Sequence, residues 1–233
     1  MFGGPDAGDT GRFDLLEYVA TGPEDGPTMV LSHGFGANMH DLVPLAAELG
    51  EPRYRFIFPQ APVALPGYPS GRTWFPRDER ELEAFATGAM FSDLSAYDPP
   101  GLAESGGELA ELLDSLGLRP ESTVIGGFSQ GSVVSCELVL GKHWGRPAGL
   151  VVLSGSLIAE RRWRNAATGL SGLPVFQSHG NADTVLPEGQ GVALGDLLRE
   201  GGAEHTFLPF TGGHEIPGSV VAEVAGFLSA LSL

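Results

Sequence analysis

Residues 123–136, Thr-Val-Ile-Gly-Gly-Phe-Ser-Gln-Gly-Ser-Val-Val-Ser-Cys, are the stretch on which the fold turns. Thr123–Gly126 is a short apolar run of strand type, and Gln130–Leu140 is an apolar segment of helical length. Between them lies Gly127-Phe128-Ser129-Gln130-Gly131, a G-x-S-x-G pattern. A serine at so abrupt a strand-to-helix junction sits in a strained turn, and the residues two positions either side must be tiny because the backbones nearly touch. In a glycine-rich chain chance supplies about 0.4 such matches, so the weight rests on the placement rather than the pattern. A helix N-terminus directly behind Ser129 also favours negative charge developing there. The competing reading is a plain glycine-rich turn.

Outward from this junction the chain alternates. Phe13–Ala20 reads as an edge strand, Thr28–Ser32 and Tyr54–Phe58 as buried strands, and Leu42–Leu49 as a helix between them. A long irregular excursion follows from Ala61, holding Trp74 and Phe75 and a short helix over Glu79–Phe91. Loops of that length are commonly functional. Gly101–Leu116 reads as a helix, Gly149–Leu153 as a strand, and Ser156–Leu170 as a cover segment with arginines at 161, 162 and 164. The remainder reads as strand Pro174–Ser178, helix Gly189–Arg199, strand His205–Phe210 and helix Ser219–Leu231. Continuous apolar strands alternating with helices imply an α/β fold, a mostly parallel sheet with helices on both faces. With no repeat and no linker, residues 1–233 are expected to form one domain.

Composition narrows the function classes. The 233 residues carry 13 Lys+Arg against 29 Asp+Glu, a formal net charge of −16, which disfavours nucleic acid and anionic membranes as partners. The 35 glycines and 18 prolines fall between apolar segments and so mark turns rather than low complexity. The single cysteine, Cys136, rules out an internal disulfide or a cysteine zinc cage and reads as a core thiol. Met1–Gly11 lacks a basic region and an apolar region, and no apolar run is long enough to span a bilayer. The expectation is a cytoplasmic protein without stable membrane association, with homodimerisation left open. No dinucleotide fingerprint, P-loop or H-E-x-x-H occurs, so no nucleotide or metal cofactor is expected.

A serine hydroxyl needs a base, and the base an orienting acid. Among six histidines, His214 lies in the tight Thr211-Gly212-Gly213-His214 turn after the late strand, where the Ser…Asp…His chain order puts the base. His40, His143 and His205 read as ordinary surface or strand histidines. Asp183 ends the loop His179-Gly180-Asn181-Ala182-Asp183 after a strand, whereas its rival Asp196 falls mid-helix; His179 reads as a support for the turn. An oxyanion requires two donors. The Gln130 backbone N–H follows from the elbow, and His33-Gly34-Phe35-Gly36 presents the Phe35 N–H on an early loop.

These segments, with Phe58-Pro59-Gln60-Ala61-Pro62, make the chain resemble the phospholipase/carboxylesterase group of α/β-hydrolases, which includes acyl-protein thioesterases and small bacterial carboxylesterases. The likeness runs from about residue 28 to 216. It implies a single α/β-hydrolase domain, a Ser129–His214–Asp183 triad, and Phe35 and Gln130 as oxyanion donors. Arg72-Thr73-Trp74-Phe75 resembles the family's R-x-W-[FY] wall, which makes Trp74, Phe75 and Val185 the expected pocket residues. Departures are Leu31-Ser32 before His33-Gly34 and the arginine-rich cover. The expected activity is hydrolysis of short- to medium-chain carboxylic esters through an acyl-enzyme. The alternatives are an acyl-thioesterase or lysophospholipase with the same machinery, and a catalytically silent ligand-binding relative.

Overall fold

A computed structural model describes residues 15–76 and 97–233. Seven strands form one sheet in the order β1-β3-β2-β6-β7-β8-β9. They are β1 (Tyr18–Thr21), β2 (Thr28–Ser32), β3 (Arg55–Pro59), β6 (Thr123–Phe128), β7 (Gly149–Leu153), β8 (Pro174–Gly180) and β9 (Glu204–Phe210). Only β1 is antiparallel, paired with β3; from β3 across to β9 every pairing is parallel. The six described helices are α1 (Val43–Leu49), α2 (Leu102–Ser115), α3 (Gln130–Leu140), α4 (Glu160–Ala166), α5 (Glu188–Glu200) and α6 (Gly218–Ala230).

Alternation along the strands separates two cores. Met29, Leu31, Val124, Val151 and Phe176 pack with Leu45 of α1 and Val220, Val224 and Leu228 of α6. Val30, Ile125, Leu150, Val152 and Val175 pack with Leu109 and Leu113 of α2, Val134 of α3 and Leu194 of α5. The sheet is therefore covered on both faces, as its unbroken apolar strands require. Among the described residues no helix is long and apolar enough to cross a membrane.

Several boundaries shift from expectation. The ladder of β1 begins at Tyr18, opposite Pro59, after the non-strand residues 15–17, and Phe13 and Asp14 of the expected strand lie outside the described residues. The expected helix over Glu79–Phe91 lies outside the described residues. The first part of the excursion is ordered: Val63–Ala64 (β4) and Arg72–Thr73 (β5) form a small antiparallel ladder. That hairpin is sewn to the early loop, the Gly36 N–H donating to Arg72 O and the Arg72 N–H to Ala37 O, both at 2.9 Å.

The chain leaves β2 for β3 on one side and later enters β6 on the other. Loops after β2 and β6 therefore open a crevice at the carboxyl ends of the strands, the place where open α/β sheets bind ligands. The loops after β8 and β9 flank it.

Candidate active site

The turn after β6 has the geometry its glycines imply. Ser129 holds φ 57° and ψ −121°, a conformation that an L-residue adopts only under constraint. A Cβ on Gly127 would stand 2.3 Å from Gly131 backbone atoms, and one on Gly131 would stand 2.0 Å from Ser32 O. Both positions exclude any side chain because the obstacle is backbone. The Ser129 N–H donates to Leu153 O at 2.9 Å, fixing the turn to β7.

The loops after β8 and β9 are joined in the same manner. Asn181 N–H donates to Phe210 O and Ala182 N–H to Gly212 O, each at 2.9 Å. Gly180 lies so close that a Cβ there would meet Gly213 O at 2.2 Å. This lacing carries His214 over the elbow, where its ring packs 4.8 Å from that of Phe128. His214 Nε2 is 2.7 Å from Ser129 Oγ, and His214 Nδ1 is 2.7 Å from Asp183 Oδ2. The three residues, 54 and 31 positions apart in sequence, thus form one hydrogen-bonded chain.

Asp183 is nearly buried, at 5 % exposure. Its Oδ1 accepts the N–H groups of Val185 and Leu186 at 2.8 Å each. Burial pushes its carboxyl up, but hydrogen bonds from His179, His214 and the Leu186 N–H outweigh this and hold it well below the usual carboxylate range. It is an anion whose position is fixed from both oxygens. Asp196, the rival, sits half-exposed on α5 and pairs with Arg199.

Ser129, His214, Phe35, Gly34, Asp41 and Leu42 line a cavity of about 220 Å³. A larger open groove of about 640 Å³ runs between α1 and the start of β3 and shares none of these residues. Phe35 lines the same cavity as Ser129, and Gln130 opens α3.

The three expected pocket residues have different surroundings. Trp74 and Phe75 are 1 % and 4 % exposed, in the core beneath the site, and Val185 is not among the residues lining the cavity. The reason is the indole N–H, which needs an acceptor once buried. It donates to His33 O at 2.8 Å. Val185 instead contributes its backbone N–H to Asp183.

Sequence reasoning overlooked the Gln130 side chain. Its Oε1 accepts the Trp74 N–H at 3.0 Å and its Nε2 donates to Phe75 O at 3.2 Å, so one buried amide ties the hairpin to the elbow. The signal was present in the polar residue opening an otherwise apolar helix. His33 is similarly structural: its Nδ1–H donates to Gly34 O at 2.8 Å and its Nε2 accepts the Ala61 N–H at 3.1 Å. Burial holds its pKa below the ordinary value. His40 sits in the turn before α1, and His143 and His205 hydrogen-bond Glu137 and Gln177.

A parallel sheet with these loops at its carboxyl end defines an α/β-hydrolase. The chain belongs to the phospholipase/carboxylesterase family, whose model matches residues 17–232. It is 30% identical over 210 residues to an acyl-protein thioesterase 1 of Mycosarcoma maydis, covering 79% of this chain and 82% of that one. An acyl-protein thioesterase 1 of Saccharomyces cerevisiae is 34% identical over 77 residues, and there the match spans about a third of either chain. The crystal structure of esterase PE8 superposes with a TM-score of 0.78 at 24% identity, covering 94% of this chain and all of that one. The protein is thus a hydrolase of the esterase and thioesterase family.

Proposed function

We propose that the protein is a serine carboxylesterase for short- to medium-chain esters, with Ser129, His214 and Asp183 as its triad. The observation that carries this is the pair of 2.7 Å contacts linking Ser129 Oγ to His214 and His214 to Asp183. His214 Nε2 takes the Ser129 proton as Oγ attacks the acyl carbonyl. The backbone N–H groups of Phe35 and Gln130 hold the oxyanion. The imidazolium, stabilised by the Asp183 anion, then protonates the leaving alcohol, and water activated by the same imidazole releases the acid.

The cavity of about 220 Å³ beside Ser129 favours a small acyl or alcohol group. Each further buried CH₂ contributes about 0.8 kcal/mol only until such a space is full. A second reading, thioester hydrolysis, is favoured by the named relatives, and the same residues would perform it with a thiolate leaving group. A silent ligand-binding role is disfavoured by the intact hydrogen-bonded chain. The test is a panel of p-nitrophenyl esters from acetate to palmitate, beside acyl-CoA and lysophosphatidylcholine, with Ser129→Ala as control. Turnover is expected to peak at short to medium esters and to vanish in Ser129→Ala. Turnover that survives in Ser129→Ala would exclude this nucleophile, and a profile rising steadily to palmitate would overturn the chain-length reading.

A further inference from the structure

Asp183 Oδ1 takes the Val185 and Leu186 N–H groups and Oδ2 takes the His214 Nδ1–H of the proposed triad, which leaves the neighbouring His179 imidazole unexplained. His179 is the penultimate residue of β8 and has no exposed surface. Its Nε2 is 2.9 Å from Leu186 O and 3.4 Å from Asp183 Oδ2, the oxygen that also receives His214 Nδ1–H. A carbonyl oxygen can only accept, so the His179 proton is on Nε2, directed at Leu186 O, with Asp183 Oδ2 as its longer second contact. Nδ1 is buried without a hydrogen-bond partner, so a second proton placed there would have no acceptor. His179 is therefore the neutral Nε2–H tautomer. Helix α5 presses on the ring from the Nδ1 side: a Cβ on Gly191 would stand 2.4 Å from Nδ1, so the ring has no room to retreat from Asp183.

We propose, resting on the triad reading above, that His179 is a positioning residue that shares Asp183 Oδ2 with His214 and so sets how tightly His214 holds its proton. A neutral donor on Oδ2 draws electron density away from the His214 Nδ1–H without cancelling the carboxylate charge. His214 then reaches its neutral, base-competent form at a lower pH than it would with Oδ2 to itself. Hydrogen bonds from His179 also help to keep the Asp183 carboxyl below its usual range, which agrees with that sharing.

The other groups facing His214 are Ser129, the Phe128 ring, Glu215 on its own loop, and Asp41 and His33 across the cavity. Among the described residues no lysine or arginine lines that cavity. Among the described residues, Asp183 is the one ionisable side chain paired with His179. From β9, the neighbour of β8, the residue in register with His179 is Pro209, which does not titrate.

The experiment is a pH titration of the His214 imidazole in the full chain by NMR, assigned with His214→Asn, alongside the pH dependence of kcat/KM on a p-nitrophenyl ester. His179→Leu removes the donor and is expected to raise the midpoint by about half a pH unit, while His179→Gln, which keeps an N–H at the Nε2 position, restores it. A folded His179→Leu protein with an unmoved midpoint overturns the proposal, as does a His179→Gln midpoint displaced as far as that of His179→Leu. Should His179→Leu not fold, His179→Asn, whose amide is too short to reach Oδ2, takes its place with the same expected rise, and an unmoved midpoint again overturns it. The NMR titration needs no substrate, so failure of the esterase reading leaves this test intact and is seen separately, as turnover that survives in Ser129→Ala.

Discussion

The elbow sits at the carboxyl end of β6 and the cover segment crosses from the carboxyl end of β7 to the amino end of β8, and opposite means hold them in place. At the elbow, backbone meets backbone: Gly127 and Gly131 stand where any Cβ would overlap a carbonyl or peptide atom. Over the cover, Ser156–Leu170, side chains do the holding. Glu137 of α3, fully buried, accepts from Arg162 Nη1 at 2.5 and 2.6 Å, from Trp163 Nε1 at 2.7 Å and from His143 Nε2 at 2.8 Å. Arg162 reaches onward to Asp98 Oδ1 at 2.7 Å, and Arg164 pairs with Glu160 and Glu200. The arginine-rich cover is therefore partly an internal tie. Contact geometry at the elbow admits one residue type; charge pairing at the cover admits substitutes at a graded cost.

The largest effect therefore belongs to the elbow. Gly131→Ala puts a methyl 2.0 Å from Ser32 O, and neither backbone can yield without moving β2 or the start of α3. The expected loss is about 4 kcal/mol or more, enough to deplete folded protein. Gly189→Ala is the matched control, because nothing lies within 4 Å of its Cβ and alanine suits a helix better. Urea unfolding of the two variants checks the pair, and equal stabilities would refute the backbone-contact account.

The cover comes next. Arg162→Leu leaves the buried Glu137 carboxylate with Trp163 and His143 as its partners among the described residues. Removing one member of a buried pair is costly, but Arg162 is about one-third exposed, so the expected loss is about 2–3 kcal/mol. Arg162 touches none of the residues lining the Ser129 cavity, so kcat/KM for a short ester should stay within about threefold of wild type. A fall in activity comparable to that of a triad variant would mean that the cover shapes the site directly.

The same contrast explains what was legible in the sequence. Alternation of apolar segments sufficed for the strand and helix series, since Gln130–Leu140 and Gly149–Leu153 emerge with the expected bounds. Ser129, Asp183 and His214 could be picked out because each sits on a short loop with a local glycine pattern, and the folded chain brings them within hydrogen-bonding distance. Contacts between distant side chains leave no such local trace. Glu137 looks like one charge in an apolar helix until Arg162 arrives 25 residues later. The Trp74 indole looked like a pocket wall because its acceptor, His33 O, lies 41 residues away.

Trp74 supplies the third prediction. Trp74→Phe keeps the aromatic packing and deletes only the N–H, which leaves His33 O buried with its donor gone. The expected destabilisation is about 1–2 kcal/mol, measured by urea unfolding. The acyl chain-length profile should keep its wild-type shape, because a residue 1 % exposed presents no surface to a substrate. A profile that flattens would restore the wall role and show that the hairpin opens during turnover.

The smallest effect lies at the outer end of the Arg162 guanidinium. Its inner end faces a fully buried carboxylate, whereas Asp98 is half exposed, so water screens that pair. The hydrogen bond from Arg162 lowers the Asp98 pKa below its ordinary value, against the opposing effect of partial burial. A depressed carboxyl contributes stability above its unfolded pKa and loses it as pH falls through the folded one. Asp98→Asn should therefore destabilise by about 0.5 kcal/mol at pH 7, with wild type and variant converging below about pH 3. Urea midpoints at pH 7 and pH 3 decide it. A gap that persists at pH 3 would place the contribution in hydrogen-bond geometry rather than charge, and a gap as large as that of Arg162→Leu would erase the distinction between the two ends.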